Sequence, residues 1–216
     1  MIKSKKTTKK TLFGNINKTI KLKNYKAVLF IKKNPNNKIE FVTNGLVVAF
    51  NGGGKIKENS KKFLAAKNIS EIITKAGGIV MSGGRNTGIM EAVSLGGKKN
   101  ALGVVFKEQI KKQVVSKHCQ HIIVDGPTTR LSLLTEFPNF VIVYEGGIGT
   151  LHEIMNILVA CKNTIKYNMP APKIIMDQYW KKFIDNFIKN KILDKNYLFS
   201  LSYFKNISDI KKQLGI

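Results

Sequence analysis

Three glycine-rich segments, each following a short apolar run, constrain this chain more than any other feature. They are Asn51-Gly-Gly-Gly54, Ser82-Gly-Gly-Arg-Asn-Thr-Gly88 and Gly146-Gly-Ile-Gly-Thr150. The runs before them, residues 46–50, 79–81 and 139–144, read as buried strands. Helical patterns follow over 59–76, 88–96 and about 151–161; the first carries a stripe of Phe63, Leu64, Ile69, Ile72 and Ile73. Further strands are expected at 101–106, 121–124 and 173–176, and further helices at 128–137, 180–192 and 207–214. Strands alternating with helices give an α/β chain with a parallel sheet covered on both faces. In such sheets ligands bind beyond the carboxyl ends of the strands, so three glycine loops at those ends can line one crevice.

Glycine lets the backbone approach a ligand closely. A helix expected directly after two of the loops, from about Ile89 and Leu151, offers free N–H groups and a positive dipole end. A phosphate held by Gly146, Gly147, Ile148, Gly149 and Thr150 is the direct inference; a tight strand-to-helix turn without a ligand is the plainer one. The segments are neither a dinucleotide fingerprint nor a Walker A loop, which disfavours an NAD enzyme or an ATPase. No GxSxG elbow points to a serine hydrolase.

The 216 residues suit one α/β domain with an appendage. Lysine, asparagine and isoleucine are abundant in every segment, so the net charge of +24 reads first as compositional bias and second as a nucleic-acid footprint. Either way the field attracts anionic ligands. Of the 37 basic residues only Arg85 and Arg130 are arginine, and guanidinium supplies a bidentate fork that ammonium lacks. Residues 1–26 are lysine-rich without an acid and read as a solvated arm. Residues 25–31 and 39–42, around the turn cluster 32–37, read as a β-hairpin. The division expected is 1–44, basic arm and hairpin, and 45–216, nucleotide-binding domain. Cys119 and Cys161 make no disulfide framework, no apolar leader follows the first methionine, and no run is long enough to span a membrane. A cytoplasmic protein is the expectation.

Residues 145–153, EGGIGTLHE, resemble the PGGxGTxxE motif of the LOG ("lonely guy") family, once described as lysine decarboxylases. Residues 82–93, SGGRNTGIMEAV, resemble its GGGxxGLM segment, and residues 172–180 are similar to its KP-strand-YW stretch. Arg130 matches the arginine that the family carries on the helix before the motif strand. The likeness spans about residues 45–214. It implies a Rossmann-like, doubly wound homodimer that hydrolyses the N-glycosidic bond of nucleoside 5′-monophosphates, AMP or cytokinin-type ribotides. It also implies Arg130 and Glu153 as the catalytic pair. The nucleotide-binding set expected is Asn51, Gly52, Gly83, Gly84, Arg85, Gly88 and Met90.

The residues themselves fit those roles. A carboxylate at Glu153, expected in the first helical turn, stabilises positive charge on a sugar or positions water; complementing the helix dipole is the alternative. Arg130 has three available tasks: orienting Glu153, binding phosphate or stabilising the departing base. A surface salt bridge to Glu136 is the plainer role. Glu145 replaces the motif's proline and brings a negative charge to the phosphate loop; Leu131 stands where lysine is typical, and His152 where many members have glutamate. Glu91 reads as structural or as a wall of the base pocket. His118, Cys119 and His121 lack a fourth ligand at the usual spacing, so no metal is expected. Trp180, Phe183 and Phe187 read as core or dimer interface. Hydrolysis consumes only water, so no cofactor is expected. The leading expectation is a phosphoribohydrolase with a basic N-terminal hairpin extension. The alternative is a protein of the same fold that carries a nucleotide or pterin cofactor, or binds single-stranded DNA, without catalysis. Nucleic acid is admitted through the basic arm but not favoured.

Overall fold

The computed structural model describes residues 46–169 and 171–216, together with the backbone of three N-terminal strands. Those strands are β1 (Thr8–Phe13), β2 (Phe30–Lys33) and β3 (Lys38–Thr43). β3 pairs antiparallel with β2, Phe30 opposite Val42, and with β1, Thr8 opposite Thr43. The stretch expected as a solvated arm therefore contributes a strand. Thr11 and Phe13 are residue types that favour strands. The rest of that arm, and residues 25–29 of the expected hairpin, lie outside the described residues.

The second sheet has seven parallel strands. They are β4 (Val47–Asn51), β5 (Ile79–Ser82), β6 (Ala101–Phe106), β7 (Gln120–Val124), β8 (Phe140–Val143), β9 (Lys173–Asp177) and β10 (Leu201–Phe204). Their order is β10-β9-β8-β4-β5-β6-β7. β4 pairs with β5 on one side and β8 on the other, so the winding reverses between β4 and β8. This is an α/β, Rossmann-like, doubly wound sheet, and the reversal opens a crevice beyond the β4 and β8 carboxyl ends.

Among the described residues seven helices cover it: α1 (Lys61–Lys75), α2 (Gly88–Gly97), α3 (Lys107–Lys112), α4 (Pro127–Thr135), α5 (Ile148–Tyr167), α6 (Lys181–Lys189) and α7 (Ile207–Leu214). Alternation along the strands divides the core. Ala49, Met81, Val104 and Val143 pack with Leu133 and Leu134 of α4, Ile154 and Ile157 of α5, and Ile184 of α6. Val48, Phe50, Val80 and Ile142 pack with Phe63 and Ile69 of α1, Ile89 and Val93 of α2, and Ile210 of α7. Both faces are thus sealed, which is why the central strands read as continuous apolar runs.

Several boundaries differ from the sequence reading. α5 begins at Ile148, inside the glycine loop, and ends at Asn168 in the left-handed region rather than near Cys161. Glycine is a good N-cap, and Gly147 takes that place here with extended backbone. The helix expected over 180–192 is shorter: Gln178–Trp180 forms a 3-10 turn before α6, and the chain leaves the helix after Lys189, with Lys191 in the left-handed region (φ +57°). Leu64 falls off the buried stripe of α1 and is 52% exposed. Two elements, α3 and β10, carried too little periodicity to be read. No helix among the described residues is long and apolar enough to cross a membrane.

Candidate active site at the switch point

The β4 and β8 loops are tied together. The Gly53 N–H donates to the Glu145 carbonyl at 2.8 Å, and the Tyr144 N–H donates to the Asn51 carbonyl at 2.8 Å. The Gly53 carbonyl in turn accepts from the Ile89 N–H at 3.3 Å, docking the start of α2 onto the same loop. Above this junction lies an open crevice of about 1540 Å³. Gly52, Arg85, Met90, Arg130, Glu153 and every residue from Gly146 to Thr150 line it. The remaining expected residues lie outside the lining. Asn51 ends β4 with its side-chain amide buried and unpaired. Gly83 sits against the Arg130 guanidinium, Gly84 (φ +71°) abuts Gly103 and Val105, and Gly88 (φ +57°) abuts the backbone of Gly53 and Gly54.

No side chain caps α5, so the N–H groups of its first turn are not spent on an N-cap oxygen. Thr150 is buried at this turn, and its hydroxyl fills the space that a side chain at Gly146 would take. Together with the dipole this is an anion-binding arrangement. Seven cationic side chains line the crevice against three carboxylates. Of those carboxylates, Glu145 is held by Lys62 of α1 at 2.6 Å, and the same ammonium lies 2.8 Å from Asp177 at the end of β9. Burial opposes the charge on Lys62, but its hydrogen bonds to Asp177 and Glu145 outweigh that and raise its pKa.

Glu153 lies on the second turn of α5, not the first, since the helix starts three residues earlier than expected. Its Oε1 is 3.9 Å from Arg130 Nη1. Burial pushes the Glu153 carboxyl up to about 7, with Arg130 pulling the other way. At 3.9 Å the pair does not offset the loss of water, so desolvation dominates for this acid. Burial also lowers the pKa of Arg130, opposed by Glu153 and reinforced by the nearby Arg85. The Arg130 Nε donates to the Val104 carbonyl at 2.9 Å, which fixes the guanidinium plane over Gly83. Glu136, the alternative partner considered for Arg130, instead accepts from the Asn156 side chain at 3.0 Å.

Other candidates go elsewhere. Glu91 is buried and 3.7 Å from His118, while Cys119 Sγ lies 3.7 Å from His121 Nε2. Among the described residues no group of three such side chains is placed to hold a metal ion. Trp180 donates to the Tyr144 carbonyl at 2.9 Å and stacks edge-on with Phe183, so it braces the β8 loop from behind. Sequence reasoning missed the far wall of the crevice, built from Phe106, Glu108, Gln109, Lys112 and Gln113 around α3, and the Lys55, Lys57 and Lys61 rim. α3 spans six residues with a single large apolar side chain, so no periodicity announces it.

The SLOG cluster4 family profile matches residues 46–194. No curated protein matches. Among solved structures, a molybdenum cofactor binding protein from Rippkaea orientalis is 20% identical, covering 79% of this chain and 95% of its own, with a TM-score of 0.58. A molybdenum cofactor carrier protein from Chlamydomonas reinhardtii is 17% identical, covering 79% and 99%, with a TM-score of 0.53. DNA processing protein A from Helicobacter pylori, described with a single-stranded DNA binding mode, is 14% identical, covering 93% and 94%, with a TM-score of 0.52. At these identities the likeness is one of fold.

Proposed function

The chain belongs to the SLOG cluster4 family, and from that premise we propose that it hydrolyses the N-glycosidic bond of nucleoside 5′-monophosphates, as LOG enzymes do. AMP, or a cytokinin-type ribotide built on it, is the first substrate to test. One observation carries the reading: the Glu153 carboxylate and the Arg130 guanidinium, both largely shielded from solvent, lie 3.9 Å apart beside a helix N-terminus that no side chain caps.

The 5′-phosphate sits on the first turn of α5, where N–H groups and the dipole neutralise it. The ribose then lies toward the second turn, beside Glu153. Breaking the C1′–N bond builds positive charge on the sugar, which the carboxylate stabilises. As base, Glu153 takes a proton from the attacking water, a role suited by a pKa near neutrality. Water supplies hydroxyl to C1′ and the departing base gains a proton, giving free base and ribose 5-phosphate. Arg130 holds the carboxylate and adds a cation where the leaving base gathers negative charge. The reading includes a homodimer, nucleic acid as no more than a secondary partner of the basic segment, and a cytoplasmic site of action.

A second reading is a nucleotide or cofactor carrier without turnover. The crevice volume favours it: about 1540 Å³ exceeds the roughly 300–1,000 Å³ usual for a small-molecule pocket. Chromatography of free base released from AMP, GMP, CMP, IMP and isopentenyladenosine monophosphate separates the two. Base release by wild type, lost in Arg130→Ala and Glu153→Gln, is the expected result. Tight binding with no base released from any of them selects the carrier.

A further inference from the structure

Two side chains lining the crevice each carry a buried oxygen with no protein partner. Thr87 is the N-cap of α2, where a threonine hydroxyl ordinarily accepts from the first helical turn, yet its Oγ1 makes no capping bond. It is buried and without any hydrogen-bond partner among the described groups. Gln109 of α3 is more than nine-tenths buried, and its Oε1 is likewise unpaired. Both residues line the crevice. Buried polar atoms are rarely left unpaired, and two in one wall call for a partner from outside the protein.

The chemistry of the two groups narrows that partner. Gln109 Nε2 reaches the Gly83 carbonyl at 3.5 Å, a weak bond that orients the amide without locking it. This leaves Oε1, which can only accept, so the incoming group must donate. The Thr87 hydroxyl serves as donor or acceptor. Met90, whose sulfur lies beside Gly83, adds a soft apolar surface suited to an aromatic ring. The sheet order puts this wall on the β5–β6 side of β4, across from the β8 loop. A nucleotide with its phosphate on α5 therefore extends its heterocycle toward Thr87, Met90 and Gln109.

We propose that Thr87 and Gln109 form the heterocycle-recognition wall and select a base that presents an N–H donor on its edge. This rests on the phosphate reading of the α5 N-terminus given above. The test is calorimetry on the full chain carrying Glu153→Gln, so that ligand is not consumed. The ligands are AMP, purine riboside 5′-monophosphate, which lacks the amino group and any ring N–H, and ribose 5-phosphate. AMP is expected to bind about tenfold tighter than the purine analogue, the value of one well-made hydrogen bond. Gln109→Leu and Thr87→Val should each shrink that preference while ribose 5-phosphate still binds. Equal affinity for AMP and its analogue overturns the proposal without recourse to any variant, as does a preference unchanged in both variants. Ribose 5-phosphate binding without base preference removes this proposal alone. No binding by any of the three removes the phosphate reading and this proposal with it.

Discussion

Lys62 Nζ lies 2.6 Å from Glu145 Oε2, the side chain that stands where the LOG motif has proline. The carboxylate that the sequence brings to the phosphate loop is therefore paired, though only in part offset, by a cation from α1 that it shares with Asp177. Lys62→Met leaves two carboxylates beside the loop and should weaken ribose 5-phosphate binding about three- to tenfold, a modest factor because the lysine is partly solvated. Glu145→Gln should strengthen it by a smaller factor. Titrations at low and high salt check this, since both differences must shrink as salt screens the field.

With hydrolysis as proposed, Glu153 should set the pH dependence of turnover. With its carboxyl near 7, the ionised form needed to take a proton from water accumulates only as pH passes that value. The rate of base release at saturating AMP is expected to rise through about pH 7 and level off above it. Glu153→Gln should be inactive throughout. A wild-type profile already flat from pH 5 would contradict the role of base given to this side chain.

Stability should move the opposite way. The folded-state value of about 7 lies above the ordinary 4.5 for this acid. Between those values the folded protein holds a proton that the unfolded chain has released, so stability declines as pH rises. Above about 7 the buried charge carries its full cost, on the order of 3 kcal/mol. Glu153→Gln should therefore raise the melting temperature at pH 8 and leave it nearly unchanged at pH 4.

Much of this arrangement is legible in the residues. The strands β4, β5 and β8 announce themselves because both faces of the sheet are covered, leaving uninterrupted apolar runs that end at glycine. The pairing of Arg130 with Glu153 is implied by the resemblance to the LOG motif, while the residues alone leave Arg130 several tasks, a salt bridge to Glu136 among them. The Lys62–Glu145 contact is not legible, because it joins residues from α1 and the β8 loop and only the folded sheet brings them together. The α5 start was misplaced because Gly-Ile-Gly reads as loop, although the first turn of a helix has no intrahelical N–H bonds for glycine to weaken. Nothing in the sequence singles out Thr87 within its glycine-rich segment, and only its unpaired hydroxyl in the folded chain marks it.

Two glycines predict opposite outcomes for the same substitution. A Cβ at Gly83 would meet the Arg130 guanidinium and, at 2.8 Å, the Met90 sulfur. Both are the far ends of flexible side chains, so Gly83→Ala should fold normally, within about 1 kcal/mol of wild type. It should nevertheless displace Arg130 from Glu153 and cut base release about 100-fold, the usual consequence of moving a catalytic group by an ångström. Gly88 has φ +57°, and a Cβ there would strike the Gly53 carbonyl and come within 2.7 Å of Gly54 Cα. Backbone cannot swing aside, and the left-handed region adds strain of its own. Gly88→Ala should cost about 2 kcal/mol or more in stability and part the β4 loop from α2. Paired urea melts and base-release assays separate the two. A Gly83→Ala protein that folds and turns over at the wild-type rate would remove Arg130 from the catalytic pair.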